Sequence, residues 1–159
     1  MHHDAETVAA LRLWLRLLAT VTAIERELAR RLRQRFDCSL ARFDLMAQLD
    51  RSPHGLSMSE LSARLMVTNG NVTGLVQRLE REGLVARETD PVDRRLQRVR
   101  LTAEGSALFA RIAQEHGSWV RERLGHLRPT EREALAALLA RLRHPEASLQ
   151  QEELARVAP

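Results

Sequence analysis

Residues 90–105 read DPVDRRLQRVRLTAEG, with Arg94, Arg95, Arg98 and Arg100 crowded behind Asp90 and Asp93. Guanidinium groups at a turn suit phosphates or a narrow, negatively polarised minor groove. A carboxylate beside them can fix one guanidinium by a charged hydrogen bond, and Asp93 is spaced to do so for Arg94 or Arg95. Arg98 and Arg100 alternate along the following strand, where they can meet flanking phosphates. The same charges also suit a hairpin that only stays soluble and blocks edge pairing, so the neighbouring elements must decide.

A second polar set lies just upstream, in TNGNVTGLVQR, residues 68–78. Val72, Leu75, Val76 and Leu79 recur at i, i+3, i+4 and i+7, the inward stripe of a helix. The opposite face then offers Asn69, Gly70, Asn71, Thr73, Gly74, Gln77 and Arg78, with Thr68 in the turn ahead of it. Asn and Gln can pair with adenine, Arg with guanine, and Thr can meet a phosphate or a thymine methyl. An ordinary solvated face would carry Glu–Lys pairs, and this one has none over its first two turns.

The elements that must position these groups follow from periodicity and punctuation. Residues 7–36 lack Gly and Pro and are apolar nearly all round, as a helix buried on more than one side would be. In so short a chain that extra face predicts a partner subunit. A second helix is predicted over 41–50, stopped by Pro53 and Gly55. Ser57 and Glu60 have the spacing of a capping box, followed by a short helix with Leu61 and Leu65 inward. After a turn at 66–69, the helix carrying the polar face runs over about 70–82, and Gly83-Leu84 has the form of a Schellman stop. Residues 84–89 and 96–101 alternate as two strands, a wing with arginines on its outer face. Thr102 is placed to cap a long helix to about Leu124, carrying Leu108, Ile112, Trp119 and Val120. Pro129 opens a last one, with Leu135, Leu138, Leu139 and Leu142 as its stripe.

The expected fold class is therefore mainly α: a winged helix-turn-helix with a two-stranded β wing and helical extensions at its N- and C-terminal ends. Residues 1–36 and 102–145 form the dimerisation region, 37–101 the DNA-binding lobe and 146–159 a tail. The chain has 159 residues and a formal charge of +4, and all of its basic residues are arginine. No stretch is expected to span a bilayer, and MHHDAETVAA lacks a signal-peptide pattern, so the chain reads as soluble and cytosolic with no membrane partner.

Catalytic and metal chemistry find no footing. No phosphate loop, nucleophile motif or carboxylate pair is present, and His54, His116, His126 and His144 lack ligand spacing. No cofactor is expected. Cys38 is the single cysteine, with Asp37 beside it to disfavour a thiolate, and reads as structural.

LSMSELSARLMVTNGNVTGLVQRLEREGLVARETDPVDRRLQRVRLTAEG resembles the core of the MarR family of bacterial transcriptional regulators, most specifically in D-P-x-D-R-R-x-x-x-V-x-L-T-x-x-G. The resemblance implies N- and C-terminal helices forming an intertwined dimer, a homodimer with two recognition helices in successive major grooves of double-stranded DNA and two wings in adjacent minor grooves. By position, Asn69, Gly70, Asn71, Thr73, Gln77 and Arg78 become groove or phosphate contacts. Arg95 becomes the minor-groove arginine and Asp93 its orienting partner. The family's effector crevice would draw Trp14, Phe43, Met46 and Phe109 as apolar groups and Arg16 and Arg42 as anion partners. LRLWLRLL, ARFDLMAQLD and RLMVTNGNVTGLV are similar to a subgroup governing aromatic-acid catabolism, which implies an aromatic acid or its CoA thioester as effector. Two other readings stay open: an architectural DNA binder without sequence preference or effector, and a protein–protein module that has lost DNA binding.

Overall fold

The computed structural model describes residues 4–65, 69–90, 93 and 95–143. Thr68, Arg94, the turn at 66–68 and the tail at 146–159 lie outside them, as do the side chains of Asn69, Gly70 and Asn71.

Helix α1 spans Ala5–Phe36 and starts two residues earlier than periodicity alone predicts, because Asp4 caps it by accepting from the Thr7 amide at 2.6 Å. It ends on Asp37, whose left-handed backbone (φ 47°) turns its N–H onto the Arg33 and Leu32 carbonyls. Only Leu32 of α1 is buried, while Leu11, Trp14, Leu15, Leu18 and Val21 are exposed. One expectation is corrected: α1 is long and apolar enough, at a mean hydropathy of 1.5 over 18 residues, to cross a membrane by length and composition. Its leucines, alanines, valines and isoleucine raise the average around Arg12 and Arg16, whose charges would each cost about 2.5–3.5 kcal/mol near a bilayer centre.

Helix α2, Leu40–Asp50, is capped by Ser39 and buries Phe43, Leu45, Met46 and Leu49. Strand β1, Leu56–Ser57, leads into α3, Met58–Leu65. The capping box forms as its spacing requires: Glu60 Oε2 accepts from the Ser57 amide at 2.8 Å and Ser57 Oγ from the Glu60 amide at 3.3 Å. Helix α4, Asn69–Arg81, buries Val72, Val76 and Leu79 completely or nearly so. It closes at Gly83 (φ 72°), where Leu84 N–H reaches the Leu79 carbonyl and Gly83 N–H the Glu80 carbonyl, the paired bonds of a Schellman stop.

Strands β2, Val85–Thr89, and β3, Gln97–Leu101, form the hairpin, but the sheet has three strands in the order β1-β3-β2. The expected two-stranded wing is present, and a short strand that periodicity did not predict extends its sheet: Leu56 and Ser57 pair antiparallel with Val99 and Arg98. That pairing buries Leu56 and Val99 and leaves β3 with a neighbour on each side.

Helix α5, Ala103–Leu124, begins where Thr102 Oγ1 accepts from the Gly105 amide at 3.0 Å. The Thr102 hydroxyl also donates to the Gly83 carbonyl, and its N–H to that of Leu84, so the cap fastens α5 to the end of α4. Gly105 is required there, since a Cβ on it would lie 1.9 Å from the Leu84 carbonyl oxygen. The chain divides into two compact units, residues 1–117 and 118–159, and α5 crosses the boundary. In the second unit α6, Pro129–Arg143, buries none of its residues; Leu135, Leu138, Leu139 and Leu142 all lie exposed.

Candidate nucleic-acid interface

Burial of Val72, Val76 and Leu79 fixes the rotation of α4, so Thr73, Gly74, Gln77 and Arg78 face outward, as the stripe requires. Beyond α4 the polar face is joined to the hairpin through an Arg87–Glu80 ion pair at 3.3 Å and through the Gly83 turn.

At the wing tip, two aspartates order the backbone. Asp90 is 6% exposed, and its Oδ1 accepts from the Asp93 amide at 2.9 Å. Asp93 Oδ1 in turn accepts from the Arg95 amide at 3.0 Å. Asp93 therefore holds Arg95 by its main chain, where a bond to a guanidinium head was expected. The Asp90 N–H donates to the Leu96 carbonyl and the Leu96 N–H to that of Asp93, closing the tip and leaving the Arg95 side chain outside, exposed.

The strand arginines differ from the expectation of two outward phosphate ligands. Arg98 Nε donates to Asp90 Oδ2, and its Nη1 lies 3.3 Å from the Gly55 carbonyl and 3.5 Å from Glu60 Oε2. The hydrogen bond to Asp90 raises the Arg98 pKa above its already high value, opposed by some desolvation. Arg100 donates to the Pro53 carbonyl and pairs with Glu88 at 2.8 Å. Both are drawn inward because the loop before β1 brings the Gly55 and Pro53 carbonyls beside β3, while Asp90, Glu88 and Glu60 supply carboxylates from the hairpin and α3, contacts that strand alternation cannot reveal.

A cavity of about 440 Å³ opens between α2, α3 and α5. Phe43 and Phe109 line it as expected, with ring centroids 5.6 Å apart, and His116 lies 4.5 Å from Phe43. Met46 does not reach it, being fully buried on the other side of α2. Arg42 is bound instead to Glu82, with Nη2 at 2.5 Å and Nη1 at 3.1 Å from its two oxygens. Trp14 and Arg16 stand exposed on α1, outside the cavity lining. The polar lining that sequence reasoning missed is Asp44, Gln48, Arg51, Arg64 and His116. Its signal was periodic: residues 43, 44, 47 and 48 of α2, with its C-cap Arg51, keep one helical face, and Met46 is off it.

Burial raises the pKa of Asp44 and lowers that of His116, and the attraction between the two charges opposes each shift. Cys38 is buried and its thiol is pushed up to about 11, by desolvation above all, with Arg42 pulling the other way and Glu82, Asp37 and Asp44 adding to the rise. The thiolate is absent at neutral pH, in keeping with a structural residue. Among the described residues, no group of three His, Cys, Asp or Glu side chains is arranged to hold a metal ion.

A sequence description of the MarR family matches residues 36–96. The chain is 34% identical to the HTH-type transcriptional regulator PecS of Dickeya dadantii over 110 residues, 68% of this chain and 66% of that protein. It is also similar to a MarR family transcriptional regulator from Silicibacter pomeroyi, at 36% identity and a TM-score of 0.74, covering 91% of this chain and 100% of that one. A MarR family regulator from Streptomyces coelicolor, solved in complex with DNA, superposes with a TM-score of 0.75 at 28% identity, covering 91% of this chain and 90% of that one.

Proposed function

The chain belongs to the MarR family of transcriptional regulators, and from that membership we propose that it is a homodimeric, sequence-specific DNA-binding repressor released from its operator by a small-molecule effector. The observation that carries this reading is the outward face of α4, Thr73, Gln77 and Arg78 backed by a closed core, in the same unit as an arginine-tipped wing. Two such lobes related by a twofold axis would read half-sites about 10 bp apart, each α4 in a major groove. Thr68, Asn69, Gly70 and Asn71 would join the contacts at the N-terminal end of α4. Arg94 and Arg95 serve the minor groove, Asp93 orders their turn, and Arg98 braces it. The exposed leucines of α1 and α6 are the faces a second copy would cover, making 1–36 and 102–145 the dimerisation region and 37–101 the DNA-binding lobe. The protein acts where the chromosome is, in the cytoplasm.

The effector site is the cavity beside Phe43, Phe109 and His116. Aromatic walls with Arg51 and Arg64 at the rim suit a small aromatic anion, free or as its CoA thioester, in line with regulation of aromatic-acid catabolism. Such a ligand lowers DNA affinity only as far as it prefers the dimer with the other lobe spacing.

The test is to mix the purified protein with sheared genomic DNA and sequence what is retained. One enriched near-palindrome is expected; uniform retention would make the protein an architectural binder, and no retention in low salt would sink the DNA reading. On the recovered site, Arg95→Ala is expected to weaken binding by about 1–2 kcal/mol, the scale of one good contact.

A further inference from the structure

Asp90 has almost no exposed surface to offer a ligand: it is a carboxylate taken nearly wholly out of water. Such burial is costly unless both oxygens are bound, and here they are bound in two directions. One oxygen faces the tip through the Asp93 amide, and the other faces the lobe through Arg98. Arg98 continues the chain of contacts to the Gly55 carbonyl and to Glu60, the residue whose carboxylate caps α3. At its far end, Asp93 passes the constraint to the Arg95 amide.

We infer that Asp90 is a positioning residue for DNA binding: clamped through Arg98 to the start of α3, it fixes where the wing tip presents Arg95. This rests on the proposed DNA reading of the wing. The geometry favours it because, among the described residues, the bonds that reach the tip converge on Asp90 and Asp93. Outside the pairing register of β2 and β3, which ends at Thr89–Gln97, its described bonds are the two closures at Leu96 and the two aspartate contacts. Without the Asp90 carboxylate charge, Arg98 loses its strongest partner and the Asp93 amide an ionised acceptor, while the buried faces of α4 and β3 are untouched. The tip would then sample several directions, and the entropy of choosing one would fall on the binding step.

The experiment is a double-mutant cycle on the duplex recovered from genomic DNA, using Asp90→Asn, Arg95→Ala and the pair, with affinity read across a salt titration. Arg95→Ala is expected to lose about tenfold and to flatten the salt dependence by about one phosphate contact. Asp90→Asn alone is expected to lose about fivefold, and to lose nothing further when Arg95 is already alanine. Equal losses by Asp90→Asn in both backgrounds would mean general damage to the lobe and overturn the inference. So would an unchanged affinity for Asp90→Asn beside a clear Arg95→Ala loss, which leaves the DNA reading standing. A silent Arg95→Ala would remove the minor-groove role of the wing and this inference with it. Should Asp90→Asn fail to fold, Arg98→Gln cuts the same link from its more accessible end and must show the same dependence on Arg95.

Discussion

Helices α4 and α6 carry the same pattern and meet opposite fates. Val72, Leu75, Val76 and Leu79 on one, and Leu135, Leu138, Leu139 and Leu142 on the other, both recur at i, i+3, i+4 and i+7. The first stripe is closed over by its own lobe, apart from the half-buried Leu75, whereas Leu142 at the end of the second is 61% exposed. Helical periodicity states that a face needs cover but not what covers it. In α4 the cover is intramolecular, supplied by elements close in sequence. The leucines of α6 share their condition with Trp14, 58% exposed on α1, and a second copy of the chain is the cover we propose for both.

The comparison breaks most decisively on α6. Leu138→Arg combined with Leu142→Arg should turn a dimer into monomers, raising the dissociation constant by roughly a hundredfold or more in sedimentation, about 3 kcal/mol. The lobe's secondary structure should survive; a persistent dimer would place the interface elsewhere. Next in size, Leu79→Ala on α4 should cost the lobe about 2–4 kcal/mol in denaturant unfolding. Its effect should be the same at low and high protein concentration, because that stripe is covered from within.

Thr102→Ala should cost about 1 kcal/mol or somewhat more, since one hydroxyl both caps α5 and bonds to the Gly83 carbonyl. A loss too small to measure would show that the fastening is incidental. The smallest effect expected is on pH. The folded pKa of His116 lies below its ordinary value of 6.5, chiefly through burial, so the unfolded chain takes up the proton first. Stability should therefore fall as pH drops through about 6.5, and a series of thermal melts on His116→Gln should show that part of the slope removed.

What was legible in the residues was mostly local. The caps at Ser57–Glu60 and Thr102, the Gly83 stop and the rotation of α4 all follow from neighbours within a turn or two, and each is present. Features made by distant pairing were not legible. A two-residue strand at Leu56–Ser57 has no period of its own and exists only because β3 lies beside it. Arg98, expected to point outward, is likewise a brace, bonded to Asp90 within the hairpin and to the Gly55 carbonyl and Glu60 beyond it. The cavity was half legible: Phe43 and Phe109 are apolar and were found, while Asp44, Gln48 and Arg51 resembled ordinary surface until α2 turned them toward α5. Met46 and Arg42 lie off the cavity lining because they occupy other faces of α2, which apolarity and charge alone do not reveal.

The missing Cβ of Gly105 has a mechanical meaning. Where the backbone of α5 rests directly on the Leu84 carbonyl, with Thr102 bonded to both Gly83 and Leu84, the helix has a fulcrum rather than a hinge of soft side chains. His116 lies about 16 Å along the lever from that point. A tilt of about 5° there displaces the imidazole by roughly 1.4 Å, about the width of a bond, while the Gly83 turn at the pivot hardly shifts. If the cavity takes the effector and α4 enters the groove as we propose, the long arm at the cavity and the short arm at α4 work at a ratio: a sizeable displacement among the rings becomes a small, stiff one at the DNA.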